Sequence, residues 1–303
     1  MGTAYSLVLY GEDRAVLENA AEESFEETRR LDRLLSNYRP KSEWSTVNRE
    51  AAGQPVPVSQ ELFDLLAACE EYSRLSGGAF DISVGPLIKV WGFYKGSGRL
   101  PHRAEVRTAL SSVGYEGMVL DRKERTVRFA KSGMEIDPGG IGKGYAVDRV
   151  VEILRRHGVP AALVSAGGSS IYAMGAPPGQ DGWKINILHP LDESKTVAPL
   201  VLRDESMSTS GSYQKFFRAE GRIFSHIMDP RTGYPAEGML SVSVVAPRTI
   251  DSEAWTKPVF IRGRQWAAEN LPKGFRAIVC PDPGSGRGRK RGIGMDVTCE
   301  WLR

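Results

Sequence analysis

Gly139, Gly140, Gly142 and Gly144 crowd into the segment Asp137–Asp148, and no other feature of the sequence restricts the fold as much. The segment falls between an expected strand and an expected helix. There, free backbone N–H groups and the positive end of the helix can receive an anion. A plain strand-to-helix turn needs one glycine, not four. Two standard fingerprints fail. A loop of the G-x-x-x-x-G-K-[ST] type needs glycine at 137, which is Asp, and Ser or Thr at 144, which is Gly. The dinucleotide pattern needs glycine at 145, which is Tyr. The segment therefore reads as a phosphate-binding turn of another kind.

The surrounding pattern predicts an α+β fold. Thr3–Tyr10 alternates as a strand, and residues 14–36 carry one apolar stripe of a long helix through Leu17, Ala21, Phe25, Leu31 and Leu35. Ser59 is read as the N-cap of a second helix that runs to Ser76 and stops at Gly77-Gly78. Residues 118–137 read as short strands with a turn at Asp121. A third helix follows Gly144 and ends at Gly158. Ala161–Ser165, Trp183–Leu188, Leu200–Leu202, Leu240–Ala246 and Phe275–Cys280 read as strands. Helices and strands lack regular βαβ alternation, which favours α+β over a doubly wound sheet. One domain over residues 1–303, with two subdomains, is the expected organisation.

Composition excludes several function classes. The 303 residues are 41% hydrophobic and 25% charged, which rules out disordered, collagen-like and coiled-coil chains. A net charge of +3 is too small for a dedicated nucleic-acid binder. No apolar run approaches the roughly 18–20 residues that span a bilayer, and the sequence as given opens with no export signal. Cys69, Cys280 and Cys299 are too few and too scattered for a disulfide framework or zinc site, and they leave the redox compartment undecided. The basic loop 284–292 reads either as a solvated hairpin tip or as a phosphate contact.

Three further clusters stand out. Ser212 and Lys215, with Arg231-Thr232-Gly233, resemble the motifs of penicillin-binding enzymes, but the gap between them is too short for the middle motif. His226 precedes the turn Asp229-Pro230-Arg231-Thr232-Gly233, a polar loop of the kind that carries function; His102, His157 and His189 have no such company. Gly77–Leu87, leading to Trp91-Gly92-Phe93, reads on its own as a buried strand, a turn and aromatic core. Tyr38–Glu43 with Asn48 reads on its own as a loop.

Taken in order, these segments resemble the ApbE-type flavin transferases, FAD:protein FMN transferases. The resemblance rests on Met1–Tyr5, on Tyr38–Glu43 with Asn48, and on Gly78–Leu87 with Trp91-Gly92-Phe93. It continues through Asp137–Asp148 and His226–Gly233. It implies a two-part α+β fold with mixed sheets and flanking helices, FAD in a cleft between the parts, and Mg²⁺ on the pyrophosphate. FMN would pass to a Thr or Ser hydroxyl of an acceptor protein, a flavin-carrying subunit of a membrane redox complex, and AMP would leave. By the resemblance Met1, Tyr38, Ala79, Phe80 and Asp81 contact FAD. Gly139, Gly140 and Lys143 receive the diphosphate, Gly142 faces the metal, and His226 activates the acceptor hydroxyl. The alternatives are an FAD pyrophosphatase that releases FMN and AMP, and a non-catalytic FAD-binding protein.

The last family motif is an Asp, with a Thr four residues later, both on the metal. Aligned on Phe260 and Gly263, this sequence has Glu253 at the acidic position and Lys257 at the threonine position, with Thr256 one residue away. Lysine carries donors only and cannot ligate a cation. Weak or absent Mg²⁺ binding is therefore expected, with Gly142, Glu253 and Thr256 as the remaining candidate ligands. Pro258 should also disturb a helix there. Gly167-Gly168 is followed by Ser169-Ser170 in place of the commoner Asn or Asp. The resemblance implies the periplasm, with a cytoplasmic relative as the alternative.

Overall fold

Asp13 opens the first long helix by accepting the backbone N–H groups of Ala15 and Val16, a cap worth about 1 kcal/mol. From there the chain alternates irregularly between helix and strand. The computed structural model describes every residue except 1, 95, 97, 214, 285–296 and 303. Met1 and most of the basic loop 284–292 lie outside the described residues.

The first half is mostly helical: β1 (Tyr5–Tyr10), α1 (Arg14–Leu35), α2 (Glu43–Glu50), β2 (Val56–Pro57), α3 (Gln60–Leu75), α4 (Gly85–Val90) and α5 (Arg103–Ser111). Next come β3 (Met118–Asp121), β4 (Thr126–Phe129), α6 (Gly142–Arg156), β5 (Ala161–Ala166) and β6 (Ser170–Met174). The second half is mostly strand: β7 (Trp183–His189), β8 (Asp192–Leu202), β9 (Glu205–Gly211), β10 (Phe216–Ala219), β11 (Arg222–Ser225) and β12 (Met239–Ala246). It closes with α7 (Thr249–Asn270), β13 (Arg276–Pro281) and β14 (Glu300–Leu302). The fold is α+β, as expected.

One antiparallel sheet organises the molecule, in the order β1-β5-β6-β9-β12-β13-β14. On one face α6 and α7 pack against it, with α1 against α6. On the other, Trp183, Ile187 and Leu202 of the β7–β8 hairpin cover Ile171, Met207, Val245 and Ile278. Because both faces are covered, β12 is buried along its whole length. A continuous core runs from α2, α3 and β4 to β12 and α7. A second layer, around Leu87, Trp91 and Phe93, packs α4 and α5 under the β10–β11 hairpin.

Several expectations need correction. Cys280 and Cys299 form a disulfide, although 19 positions separate them: β14 returns beside β13 and brings their Cα atoms within 4.2 Å. Gly77–Leu87 contains no strand; Gly77 and Gly78 adopt positive φ, and the chain turns directly into α4. Helix α6 starts at Gly142 and so absorbs part of the glycine cluster. Pro258 does not end α7. The helix runs through it, because Pro258 is packed in a buried stretch, and breaks only at Gly263 (φ 82°).

The two helices behind the glycine segment approach unusually closely. A Cβ on Gly144 would lie 2.5 Å from the carbonyl oxygen of Thr249 and 3.0 Å from Glu253 Cβ. Alanine normally strengthens a helix. Here Gly144→Ala is expected to cost about 1–3 kcal/mol through overpacking, a drop of several degrees in Tm by calorimetry. Gly53→Ala, where the new methyl meets nothing closer than 3.6 Å, serves as the control; an equal Tm for both variants would show that α6 and α7 can separate.

Candidate functional site

The glycine segment is held from both ends. Upstream, Asn48 clamps Ile136: its Nδ2 donates to the Ile136 carbonyl at 2.9 Å, and its Oδ1 accepts the Ile136 N–H at 2.7 Å. Trp44 Nε1 donates to the same carbonyl. Ser42 caps α2, and Glu43 accepts the Ser59 N–H. The Tyr38–Glu43 motif with Asn48 is thus mostly a brace. Asp137 then accepts the Gly139 N–H at 2.8 Å and the Asn37 amide at 2.7 Å. Ile141 at the N-cap of α6 offers no side-chain cap and the first turn holds no acidic residue, so the helix end beside Gly139 and Gly140 is capped from α7, where Glu253 accepts the Gly144 N–H.

Downstream, α7 supplies the backing. Asp148 of α6 accepts the N–H groups of Thr249 and Ile250, at 2.7 and 2.9 Å, and so starts α7. Glu253 is 1% exposed; its Oε2 accepts the Gly144 N–H. Its Oε1 lies 3.2 Å from Lys143 Nζ, at ion-pair distance but without hydrogen-bond alignment. Lys257 Nζ donates to the Glu253 carbonyl at 2.9 Å, and burial pulls its pKa down to about 8. Thr256 points the other way. Its hydroxyl is fully buried, donates to the Glu253 carbonyl and accepts from Ser210.

Ala79-Phe80-Asp81 reaches the same place from the end of α3. The Ser76 hydroxyl accepts the Phe80 N–H, and Asp81 accepts the N–H groups of Ser83 and Tyr115. Burial pushes the Asp81 carboxyl up to about 6. His226 arrives from the loop after β11. That loop is fixed by Arg231 folded back on Asp229 and by Trp91 Nε1 donating to the Gly233 carbonyl at 2.9 Å. Gly233 has a φ of 77°, which glycine tolerates without strain. Nδ1 of His226 is 3.1 Å from the Lys215 carbonyl. A carbonyl only accepts, so Nδ1 carries the proton and Nε2 keeps its lone pair. Burial, with Lys143, Lys257 and Lys215 nearby, lowers the His226 pKa to about 4. The imidazole is neutral at pH 7.

These segments line one cavity of about 120 Å³. Its walls include Ala79, Phe80, Asp81, Asp137, Gly139, Gly140, Lys143, His226 and Lys257, from four separate stretches of chain. The Lys257 stem and Phe80 flank Gly140, where a Cβ would meet them at 3.4 and 3.5 Å. A neighbouring cavity of about 260 Å³ shares Asp137 and is lined by Tyr38, Lys89, Tyr94 and Glu135. Tyr38 is 52% exposed and stacks on Tyr94, ring centroids 5.0 Å apart. Gly142, Glu253 and Thr256 are buried and do not line the first cavity. Among the described residues, no group of three or more His, Cys, Asp or Glu could hold a metal ion.

Sequence reading missed Thr209 and Ser210, which line the cavity beside His226. They lie just before the Ser212–Lys215 segment compared with penicillin-binding enzymes. That comparison does not hold: the Lys215 ammonium binds the Phe93 carbonyl, and Ser212 donates to the Leu240 carbonyl. It also missed Lys89, whose ammonium sits 5.2 Å from the Tyr94 ring.

Residues 1–279 match the profile of the ApbE family. The chain is 33% identical over 264 residues to an FAD:protein FMN transferase of Klebsiella pneumoniae (strain 342), covering 86% of this chain and 79% of that protein. It is 32% identical over 279 residues to an FAD:protein FMN transferase of Treponema pallidum (strain Nichols), covering 87% and 77%. Among solved structures, an ApbE protein from Thermotoga maritima superposes with a TM-score of 0.87 at 30% identity, over 92% of this chain and 91% of that one. The apo form of the flavinyl transferase ApbE from Pseudomonas stutzeri gives 0.84 at 28% identity, over 100% and 92%. With a match across nearly its whole length and a shared fold, this chain belongs to the ApbE family.

Proposed function

We propose that the chain is an FAD:protein FMN transferase. The observation that carries the reading is the single cavity in which the glycine turn, Lys143 and the neutral His226 meet. The family relationship supports FAD as the donor and a protein as the acceptor. In this reading the diphosphate lies on the Gly139–Lys143 turn, Ala79-Phe80-Asp81 contacts FAD, and Tyr38 packs against one of its rings. The hydroxyl oxygen of an acceptor Thr or Ser attacks the FMN-side phosphorus. A new P–O bond forms, the bridging P–O bond breaks, and AMP leaves with the bonding pair. His226 Nε2 takes the hydroxyl proton. The glycine-turn N–H groups and the Lys143 ammonium offset the charge that builds on the phosphoryl oxygens.

Mg²⁺, which the family resemblance implies, does not fit the donors present. An octahedral cation of this kind needs several oxygen ligands. Glu253 has one oxygen engaged by Gly144 and the other opposite Lys143; Thr256 faces Ser210; Lys257 offers only donors. No step here depends on a metal.

We place the enzyme in the periplasm, acting on a flavin-carrying subunit of a membrane redox complex. The Cys280–Cys299 disulfide supports this, since such bonds persist in oxidising compartments and not in the cytoplasm of ordinary cells.

Incubation with FAD and a Thr- or Ser-containing acceptor peptide tests the activity. Covalent FMN on the peptide, seen by mass spectrometry, is the expected product. Free FMN and AMP without peptide labelling would mean a pyrophosphatase, and unchanged FAD a binding protein. His226→Ala is expected to lower transfer by roughly 10²–10⁴-fold with FAD affinity nearly unchanged; an equal loss of both would make His226 structural.

NMR titration of the His226 ring is expected to give a midpoint near pH 4, raised in Lys143→Met. The folded pKa lies below the unfolded value near 6.5, so the neutral ring's contribution to stability is complete above about pH 6.5 and is lost as pH falls toward 4. His226→Gln should flatten that part of the pH–stability curve. A midpoint near 6.5 would show that His226 does not feel the lysines.

A further inference from the structure

The cavity wall holds two ammonium groups where an enzyme handling a diphosphate would otherwise need a divalent cation. Lys143 rises from the first turn of α6, and Lys257 comes from α7 beside Gly140. Both are tied to the same buried residue. The carboxylate of Glu253 sits 3.2 Å from Lys143 Nζ, and its backbone carbonyl accepts from Lys257 Nζ at 2.9 Å. Glu253 is 1% exposed and does not face the cavity, so it orders the ammoniums from behind and leaves their other donors free. The stem of Lys257 is packed beside Phe80 and Gly140, so the charge is held against the turn and does not swing in solvent.

We infer that Lys143 and Lys257 form a built-in dication that binds the diphosphate ester of the substrate directly, so that this chain recognises dinucleotide diphosphates without a metal ion. The inference rests on the proposed FAD site. A diphosphate diester carries two ionised oxygens. Two fixed ammoniums face them, less the charge that the Glu253 carboxylate takes from Lys143, and the positive end of α6 adds a partial charge. Asp81 and Asp137 also line the cavity and would oppose the anion, but both are tied down. Asp81 accepts the N–H groups of Ser83 and Tyr115, and Asp137 those of Gly139 and the Asn37 side chain. A divalent cation entering beside Lys143 and Lys257 would meet two like charges in a confined space, where such repulsion is strong. The ammonium pair thus serves the electrostatic purpose of the metal and also keeps the metal out.

The test is binding, read by quenching of flavin fluorescence and by calorimetry on the whole protein, with FAD, FMN and ADP as probes. Each is titrated in EDTA and again across a Mg²⁺ series. The expected result is FAD and ADP affinity unchanged within about twofold between EDTA and saturating Mg²⁺, with FMN, a monophosphate, binding more weakly. Lys257→Met should weaken FAD and ADP by roughly 10- to 100-fold, the usual worth of a charged hydrogen bond, without rescue by Mg²⁺. Lys257→Arg should retain most of the affinity, and its Tm controls for folding. The double variant Glu253→Asp, Lys257→Thr should become Mg²⁺-dependent. FAD binding by the unmodified protein only when Mg²⁺ is present would overturn the inference and leave the transferase reading standing. Absence of FAD binding under both conditions would overturn both. Equal affinity of the unmodified and Lys257→Met proteins in EDTA would also overturn it, since the second charge would then have no role.

Discussion

The approach of α6 to α7 at Gly144 is the contact on which the site depends. With no side chain at 144, the backbone of α6 can lie against Thr249 and donate its N–H to Glu253. Asp148, one turn further along, then caps the start of α7. One short stretch of α6 therefore fixes both where α7 begins and how it is rotated. The rotation decides which α7 residues see the cavity: Lys257 does, and Thr256 one position away is turned into the sheet against Ser210. A helix advances about 100° per residue, so a single step is enough to exchange an ammonium for a hydroxyl in the wall.

The buried charges around the cavity are maintained against their own desolvation. Asp81 and Asp148 both have carboxyls pushed up to about 6 by burial. A carboxyl whose folded pKa exceeds its unfolded value near 3.9 stabilises the fold at low pH and loses that contribution as pH rises through 6. His226 behaves oppositely in nearly the same window. The two slopes partly cancel between about pH 4 and 6. At neutral pH the two aspartates are ionised in poor surroundings, a cost partly offset by the N–H donors each accepts. Stability is given up here for geometry, as is common where charged groups are gathered for chemistry.

Much of this was legible in the sequence. The 3.6-residue stripe located α1, which buries one face and exposes the other, and the Ser59 cap with the Gly77-Gly78 stop located α3, each almost to the residue. The glycine turn and His226 stood out from local composition, Ala79–Asp81 only from the family resemblance, and they converge. Helix α7 was not legible as a helix. It is buried nearly all round from Thr249 to Phe260, so it has no polar face to reveal a period, and Pro258 argued against it. The β10–β11 hairpin and α5 were missed because their apolar residues pack into a small local layer and not into the main core. The pairing of Cys280 with Cys299 could not be read from spacing, since it requires β14 to return beside β13. The brace formed by Ser42, Glu43 and Asn48 shows a different limit: a recognisable motif need not touch the ligand, and these side chains spend their hydrogen bonds on backbone.

The disulfide has a topological consequence. Cys280 lies in β13 and Cys299 immediately precedes β14, so the bond between them closes the intervening chain into a covalent ring. A peptide bond cut anywhere within that ring would divide the polypeptide without separating its parts. The final strand would stay crosslinked to its neighbour, and the nicked molecule would keep the mass of the intact one plus only the water gained, until a reductant was added. Intactness on a non-reducing gel is therefore no measure of chain continuity in this protein.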